Sequence, residues 1–174
     1  MRINQFITCW IIIITLLFAN DKSMTKPHQF QFNQSTIQAF YFVKKATILG
    51  DPIDKEDWIA SFNDTVCVGS RKWNGQYTDV PAMGFDNSTY SHGYLIPGNT
   101  PLFYIYDKSE NSFYLAKTNY TKPFGRGMAQ IFHIDSLYVD YDCKGNLGGQ
   151  AKYDRCGVCN GNEAKCSTTN SQGQ

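Results

Sequence analysis

The sequence lacks an excess of charge of either sign, and this lack excludes one class of partner. The 174 residues include 16 Lys plus Arg and 15 Asp plus Glu, a net charge of +1. Nucleic-acid binders neutralise phosphates with clustered Lys and Arg, which this composition does not supply. Nucleic acid is therefore not an expected partner.

Signals of catalysis are also missing. His28, His92 and His133 are scattered over separate segments, and no GxSxG nucleophile motif accompanies them. A Ser-His-Asp arrangement is recognised by its geometry, but nothing in this sequence indicates one. We therefore expect a protein that is not an enzyme.

Long apolar runs are missing except at the N-terminus. Arg2 precedes an apolar run of 14 residues, 6–19, that has only three interruptions. This run is shorter than the ~20 residues that cross a bilayer as a helix, and polar residues follow it, which is typical of a secretory signal peptide. We expect cleavage after Ala19, no membrane span in the mature chain, and a secreted protein located outside the cell or at its surface.

What the chain does contain is a series of short runs rich in aromatic and β-branched residues, separated by Gly, Pro, Asn and Asp. The runs are 37–43, 57–62, 66–73, 102–107, 112–117, 128–134 and 136–141. No segment keeps a helical period over twelve residues. The spacing predicts an all-β fold, an immunoglobulin-like antiparallel β-sandwich over residues 30–141. A signal peptide (1–19) and a polar leader (20–29) precede it, and a short disulfide-stapled tail (142–174) follows.

The clearest local unit is a predicted hairpin, LFYIYDKSENSFYLAK, at 102–117. Alternation predicts that Phe103 and Ile105 share the core face with Phe113 and Leu115. The other face carries tyrosines, which form either a cross-strand ladder or a wall for a ligand: Tyr104, Tyr106 and Tyr114.

A second candidate binding surface ends the run VCVGSRKW. Alternation places Arg71 and Trp73 together and predicts that the tryptophan faces outward. An exposed aromatic ring flanked by planar polar groups suits a sugar, whereas the competing interpretation is that the ring closes the sandwich core. Trp58 shares its face with Ala60 and Phe62 and is predicted to be core.

An acidic loop is the candidate for a metal site. Its four carboxylates lie within seven residues, at Asp51, Asp54, Glu56 and Asp57. Oxygen ligands of this kind suit Ca²⁺, although the loop does not follow the EF-hand pattern. The chain is expected to have no cofactor, with calcium at this loop as the alternative to an ordinary solvated turn.

Cysteines concentrate in the tail, at Cys143, Cys156, Cys159 and Cys166. So polar a segment cannot fold alone, and in an exported protein disulfides are the default over zinc or redox chemistry. Four cysteines allow three pairings, and the sequence does not choose among them. Cys67 is most simply a buried free thiol, with linkage to the tail or to another molecule as the alternative.

Four sequons satisfy the acceptor rule for N-linked glycans, and a eukaryotic source would make the protein a glycoprotein. They are Asn33, Asn63, Asn87 and Asn119.

Two stretches resemble modules of secreted proteins. The tail, DCKGNLGGQAKYDRCGVCNGNEAKC, resembles the DCxGxxGGxAxxDxCGVCxG repeats of secreted surface proteins, and is similar to the CGVCGG segment of thrombospondin-motif metalloproteases. DWIASFNDTVCVGSRKW, DVPAMGFD and GYLIPGNTPLFYIYD, within 36–117, resemble a β-sandwich module that often precedes such repeats. Thr78 stands where a second cysteine is frequent, which leaves Cys67 without that partner. The resemblance implies a non-catalytic extracellular module.

These features predict a secreted module for binding or adhesion, whose partner is an extracellular glycan or protein. Self-association as a component of a surface coat is a further possibility of the same class. The alternative is an accessory or inhibitory partner of a secreted hydrolase.

Overall fold

The computed structural model describes residues 26–119 and 121–162. The predicted signal peptide, its cleavage site, the leader up to residue 25 and Cys166 lie outside the described residues. Within them the chain is almost entirely β, with two 3-10 turns at His28–Phe30 and Thr89–Ser91. The prediction of an all-β, sandwich-like fold is confirmed. No helix in the described part is long and apolar enough to cross a membrane.

Among the described residues, ten strands form three sheets. The strands are β1 (Gln38–Val43), β2 (Ala46–Ile48), β3 (Asp51–Pro52), β4 (Trp58–Asn63), β5 (Val66–Lys72), β6 (Thr78–Met83), β7 (Leu102–Asp107), β8 (Ser112–Ala116), β9 (Ala129–Ile134) and β10 (Leu137–Val139). The first sheet has the order β6-β1-β9, the second β10-β2-β3 and the third β5-β4-β7-β8.

All seven predicted strands are present, with ends shifted by two residues at most. Three more strands, β2, β3 and β6, were not predicted. Pro81 lies within β6, which is possible because β6 is an edge strand and can spare one N–H. Two pairings, β1 with β9 and β2 with β10, are parallel and depart from the antiparallel expectation.

The main core lies between the first and third sheets. Alternate residues of β1 point into it, so that Ala39, Tyr41 and Val43 are fully buried. The Tyr41 ring meets the Phe103 ring of β7 edge to face, with 5.3 Å between centroids. The two sheets are therefore joined by interdigitated side chains, as in other sandwich folds.

A close backbone approach joins β5 to β6. A Cβ atom on Gly69 would lie 1.8 Å from the Pro81 carbonyl oxygen, so only glycine fits at this position. The Ser61 hydroxyl donates a hydrogen bond to the same oxygen at 2.6 Å. The buried carbonyl at the sheet edge is thereby satisfied.

The third sheet also buries its outer face, beneath the N-terminal segment 27–32, which we call the Phe30 cover. Phe30 is fully buried, and its ring meets those of Phe62, Tyr106 and Phe113 edge to face at 5.9, 6.2 and 6.1 Å. Its carbonyl accepts a hydrogen bond from the Ser70 hydroxyl at 2.9 Å. The cover therefore supplies a second hydrophobic cluster.

Cys67 and Trp58 both belong to this second cluster. Cys67 is buried and free, as the sequence analysis predicts. Trp58, which was predicted to be core, is half-buried and packs against this cluster beside Ala60 and Phe62. Burial raises the pKa of the Cys67 thiol to about 11.

The register of the β7–β8 hairpin differs from the predicted one. Phe103 pairs with Ala116, and Ile105 pairs with Tyr114. Tyr114 therefore faces the main core, whereas Phe113 and Leu115 share the opposite face with Tyr104 and Tyr106. The predicted facing of β8 is wrong by one residue.

The tail contains two turns of the same kind, which begin twelve residues apart. YDCKGNLGG begins at Tyr141 and YDRCGVCNG begins at Tyr153. In each turn the aspartate N–H donates to the carbonyl four residues later, at 2.9 Å. The Asp142 carboxylate accepts the N–H groups of Lys144, Asn146 and Ala151, and the Asp154 carboxylate accepts those of Cys156 and Val158. The tail is thus built around two carboxylates rather than an apolar core.

Disulfide bonds cross-link the tail, and its first turn contacts the sandwich. Cys143 is bonded to Cys159, which joins the first turn to the second. Cys156 is also disulfide-bonded. Leu147 packs against the main core, and Gly148 lies so close to Tyr114 of β8 that a Cβ would be 2.9 Å away. The first turn is therefore seated on the edge of the third sheet.

Candidate functional site

The three tyrosines predicted as a ligand wall do not form one surface. The Tyr104 ring lies between the rings of Phe62 and Phe113, at centroid distances of 4.8 and 5.8 Å. Tyr106 donates its hydroxyl to the Asn111 side-chain oxygen at 2.8 Å. Tyr114 lies on the core side of β8. The cross-strand packing interpretation therefore describes Tyr104 best.

Tyr106 and Tyr114 do reach a shared groove, which we call the Tyr106 groove. This open groove of about 790 Å³ lies between the Phe30 cover, β8 and the tail. Planar polar side chains line it on the cover side, at His28, Gln29 and Gln31.

A second depression, which we call the Trp73 depression, lies at another end of the fold and has a volume of about 700 Å³. Three connections contribute to it, namely β1–β2, β5–β6 and β9–β10. Its lining residues are Lys44, Lys45, Ala46, Pro52, Trp73, Gly75, Gln76 and Asp135. Aliphatic and aromatic groups form part of the wall, and charged and amide side chains complete it.

Parallel pairing brings the first and third of these connections together. The Lys44 N–H donates to the Ile134 carbonyl, and the Leu137 N–H donates to the Lys45 carbonyl, both at 2.9 Å. The two chains therefore run side by side from β1 and β9 into β2 and β10. Lys44, Lys45 and Asp135 are exposed along this seam.

The β5–β6 connection holds the tryptophan in place. The Trp73 N–H donates to the Asp57 carbonyl at 2.8 Å, and the indole packs against the main core while it also lines the depression. The buried Thr78 hydroxyl donates to the Gly75 carbonyl at 2.7 Å and accepts the Asn74 N–H at 3.0 Å. The aromatic wall is thus fixed by backbone contacts on both sides.

Arg71 does not join Trp73 in this site. Its guanidinium pairs with the Asp79 carboxylate at 2.7 Å and donates to the Asp79 carbonyl at 3.0 Å. The tryptophan follows β5 directly and turns with the connection, so strand alternation no longer governs its direction. The two residues predicted to act together therefore lie in different environments.

The carboxylates of the acidic loop have different partners and do not converge on one point. The buried Asp57 carboxylate accepts the Asp54 N–H at 2.8 Å and the Lys108 N–H at 2.9 Å. Desolvation by burial raises the pKa of Asp57 despite these hydrogen bonds. Glu56 instead pairs with Lys72 at 2.9 Å, and the hydrogen bond from Lys72 lowers the pKa of Glu56. Asp51 lies in β3.

Within residues 26–119 and 121–162, no group of three or more His, Cys, Asp or Glu side chains is placed to hold a metal ion. The three histidines also lie apart. His28 is in the first 3-10 turn, His92 follows the second 3-10 turn, and His133 is in β9. Calcium at the acidic loop and the absence of catalysis both stay predictions.

The sequons differ in exposure. Asn33, Asn87 and Asn119 are exposed. Asn63 is half-buried, and its side-chain amide donates to the Gly93 carbonyl at 2.9 Å. A glycan at Asn63 would compete with this contact, so the other three are the better acceptors.

The sequence pattern indicates only Trp73 among the residues of this depression, and the charged and amide residues of its lining carry no such signal: Lys44, Lys45, Gln76 and Asp135. Each lies in a gap between predicted strands, a signal that is too common to single out. The parallel pairing of β1 with β9 brings the gap of Lys44 and Lys45 beside the gap of Asp135.

No family model matches the chain, and neither a curated protein nor a solved structure matches it. The resemblance to secreted surface modules therefore stays a prediction. What the molecule itself defines is a sandwich-like, disulfide-bonded β-protein with an aromatic depression at the junction of three connections.

Proposed function

We propose that this protein is a secreted, non-catalytic module that binds extracellular carbohydrate through the Trp73 depression. The observation that carries the proposal is a tryptophan on the wall of an open depression whose lining also bears Gln76 and Asp135. Saccharides offer apolar C–H faces and hydroxyl edges. An aromatic wall with a few polar groups around it complements both.

The size of the depression favours a small ligand over the surface of another protein. Its volume of about 700 Å³ lies within the range of roughly 300–1,000 Å³ that is usual for small-molecule sites. A protein partner would instead need a contact surface of about 800 Å², which extends well beyond a single depression. A chain end or a short stretch of polysaccharide would fill the depression.

The disulfides support an extracellular location. Cys143 and Cys159 are joined, and Cys156 is also bonded. Such bonds persist in oxidising compartments and are rare in the cytosol. An exported module of this kind would meet polysaccharides or glycoproteins directly.

A glycan array followed by affinity gel electrophoresis tests the proposal. Wild-type protein should bind at least one saccharide on the array, and Trp73→Ala should weaken that binding about tenfold or more, a typical loss for an aromatic anchor. Because Trp73 also packs against the core, Gln76→Ala on the exposed rim gives a second test without a core change.

Tyr106→Ala is the matched control, since it removes an aromatic ring from the other groove. Thermal denaturation of each variant separates lost binding from lost folding. Binding that survives Trp73→Ala and Gln76→Ala, or no binding to any saccharide, would contradict the proposal. Binding lost only in Tyr106→Ala would move the site to the Tyr106 groove.

A further inference from the structure

We infer that the saccharide bound in the Trp73 depression is acidic, carrying a carboxylate that Lys44 and Lys45 recognise. The inference rests on the proposed function and adds the chemical class of the ligand. It concerns Lys44 and Lys45, whereas the proposed function rests on Trp73 with Gln76 and Asp135.

Two adjacent cations dominate the charge of the lining. Lys44 and Lys45 are exposed, and neither belongs to the ion pairs Arg71–Asp79 and Lys72–Glu56 of the described residues. The remaining charged group of the lining is Asp135, so two positive charges and one negative charge leave +1.

The position of the lysines is fixed although their side chains are long. The Lys44 N–H and the Lys45 carbonyl are both hydrogen-bonded to the neighbouring β9–β10 connection at 2.9 Å. The two α-carbons are therefore held at the rim, while the ammonium groups can move over the opening. Lysine recognises a carboxylate as a mobile point charge, and this arrangement allows two such contacts to one acidic group.

The other lining groups argue for an anion on a sugar rather than a bare anion. The Trp73 ring offers an apolar surface that an inorganic ion cannot use. Asp135 can accept hydrogen bonds from hydroxyl groups but would repel a simple anion. A sugar with one acidic group uses the ring, the carboxylate acceptor and the lysines together.

The test compares trigalacturonic acid with its methyl ester, which has the same shape and lacks the charge. Binding is measured by isothermal titration calorimetry at two ionic strengths. Wild-type protein should bind the acid, and Lys44→Gln combined with Lys45→Gln should weaken it about fivefold to twentyfold, the sum of two exposed charge contacts. Binding of the methyl ester should change by less than about twofold in the same variant, since no ion pair is lost.

A control variant makes the same change of charge away from the site. Lys144→Gln combined with Lys152→Gln removes two exposed tail lysines that do not line the depression, and it should leave binding of the acid unchanged. A sulfated trisaccharide forms a third arm, because a sulfate ester is the other common acidic group. Tighter binding of the carboxylate sugar supports the inference, and equal affinity for both acids would contradict its choice of a carboxylate.

The outcomes separate the two claims. If the methyl ester binds as tightly as the acid and the lysine variant binds both normally, the acidic-ligand inference is wrong and the proposed function stands. An equal loss in the tail control would also overturn the inference, because it would indicate attraction by overall charge. If neither trisaccharide binds and the array is empty as well, the proposed function fails with it.

Discussion

The sandwich and the tail of this molecule are stabilised by different means. In the sandwich, large side chains such as Phe30, Tyr41 and Ile59 are fully buried. In the tail, Tyr141, Tyr153 and Val158 are more than half exposed. Backbone N–H groups there surround two aspartates, and the Cys143–Cys159 disulfide joins the two turns. Burial therefore stabilises a segment that has enough apolar surface, while carboxylates and cross-links stabilise a segment that has too little.

The largest expected effect of a single substitution lies in the sandwich core. Phe103→Ala should lower the free energy of unfolding by about 3–5 kcal/mol, because it leaves a cavity against Tyr41. Tyr153→Ala, at an exposed tail position, should change it by less than about 0.5 kcal/mol. Chemical denaturation followed by tryptophan fluorescence gives both values. Similar effects of the two substitutions would contradict the contrast between the regions.

The second largest expected effect is a loss of stability confined to the tail. Replacing Cys143 and Cys159 together by serine should destabilise the closed tail by about 3 kcal/mol, the value expected for a loop of this length. Limited proteolysis should then cut within residues 142–162, while the melting temperature of the sandwich stays within a few degrees. A tail that stays resistant to protease would show that the carboxylate-centred turns suffice without the bond. Wild-type protein treated with reductant is the companion measurement.

Acid should loosen the tail. Backbone hydrogen bonds, led by that from Asn146, hold the pKa of Asp142 below its ordinary value of 3.8. A depressed pKa means that the ionised carboxylate stabilises the fold above about pH 4, and that this stability is lost as the pH falls through the lowered pKa. The protection factors of the Lys144 and Asn146 amides, which allow for the slower intrinsic exchange in acid, should therefore fall as the pH is lowered. Asp142→Ala should show low protection factors for the same amides already at neutral pH, whereas unchanged protection in that variant would contradict the role of the carboxylate.

Much of the sandwich could be predicted because its signals are local. Alternation located seven strands, and the apolar neighbours of Cys67 and Trp58 indicated their burial. The face of β8 could not be predicted, since the connection sets the register between two strands. Asp107 pairs with Ser112, and the Asp107 carboxylate caps the turn by accepting the Ser109 and Glu110 N–H groups. A shift of one residue reverses every side chain of a strand.

The candidate site was predictable only in part. Trp73 stands out as an aromatic residue at a strand end, but its charged neighbours come from connections that meet through parallel pairing over about 90 residues of sequence. The twelve-residue repeat of the tail was visible in principle, because YDCKGNLGG and YDRCGVCNG align without a gap. Two units are too few for periodicity to be conspicuous, and the common hydrogen-bond scheme makes the equivalence clear.

The smallest expected effect concerns Cys67, the free thiol of the sandwich. The described cysteines of the tail are instead disulfide-bonded. Cys67 lies beneath the Phe30 cover, and burial raises its pKa to about 11, so the thiol is protonated and shielded at pH 8. Cys67→Ala should cost only about 1 kcal/mol of unfolding free energy, near the average for a single substitution. Because the folded pKa is raised, the stability contributed by the neutral thiol is complete below pH 9 and lost as the pH rises through about 11.

Labelling of native protein with a thiol reagent measures this shielding. The rate at pH 8 should be far below that of unfolded protein, and Phe30→Ala should raise it by opening the cover. Sedimentation in the presence and absence of reductant should give the same mass for the wild type, because a buried thiol cannot bridge two chains. A reductant-sensitive dimer that disappears in Cys67→Ala would instead show that the cover opens in the native protein and that the sandwich, like the tail, is cross-linked through sulfur.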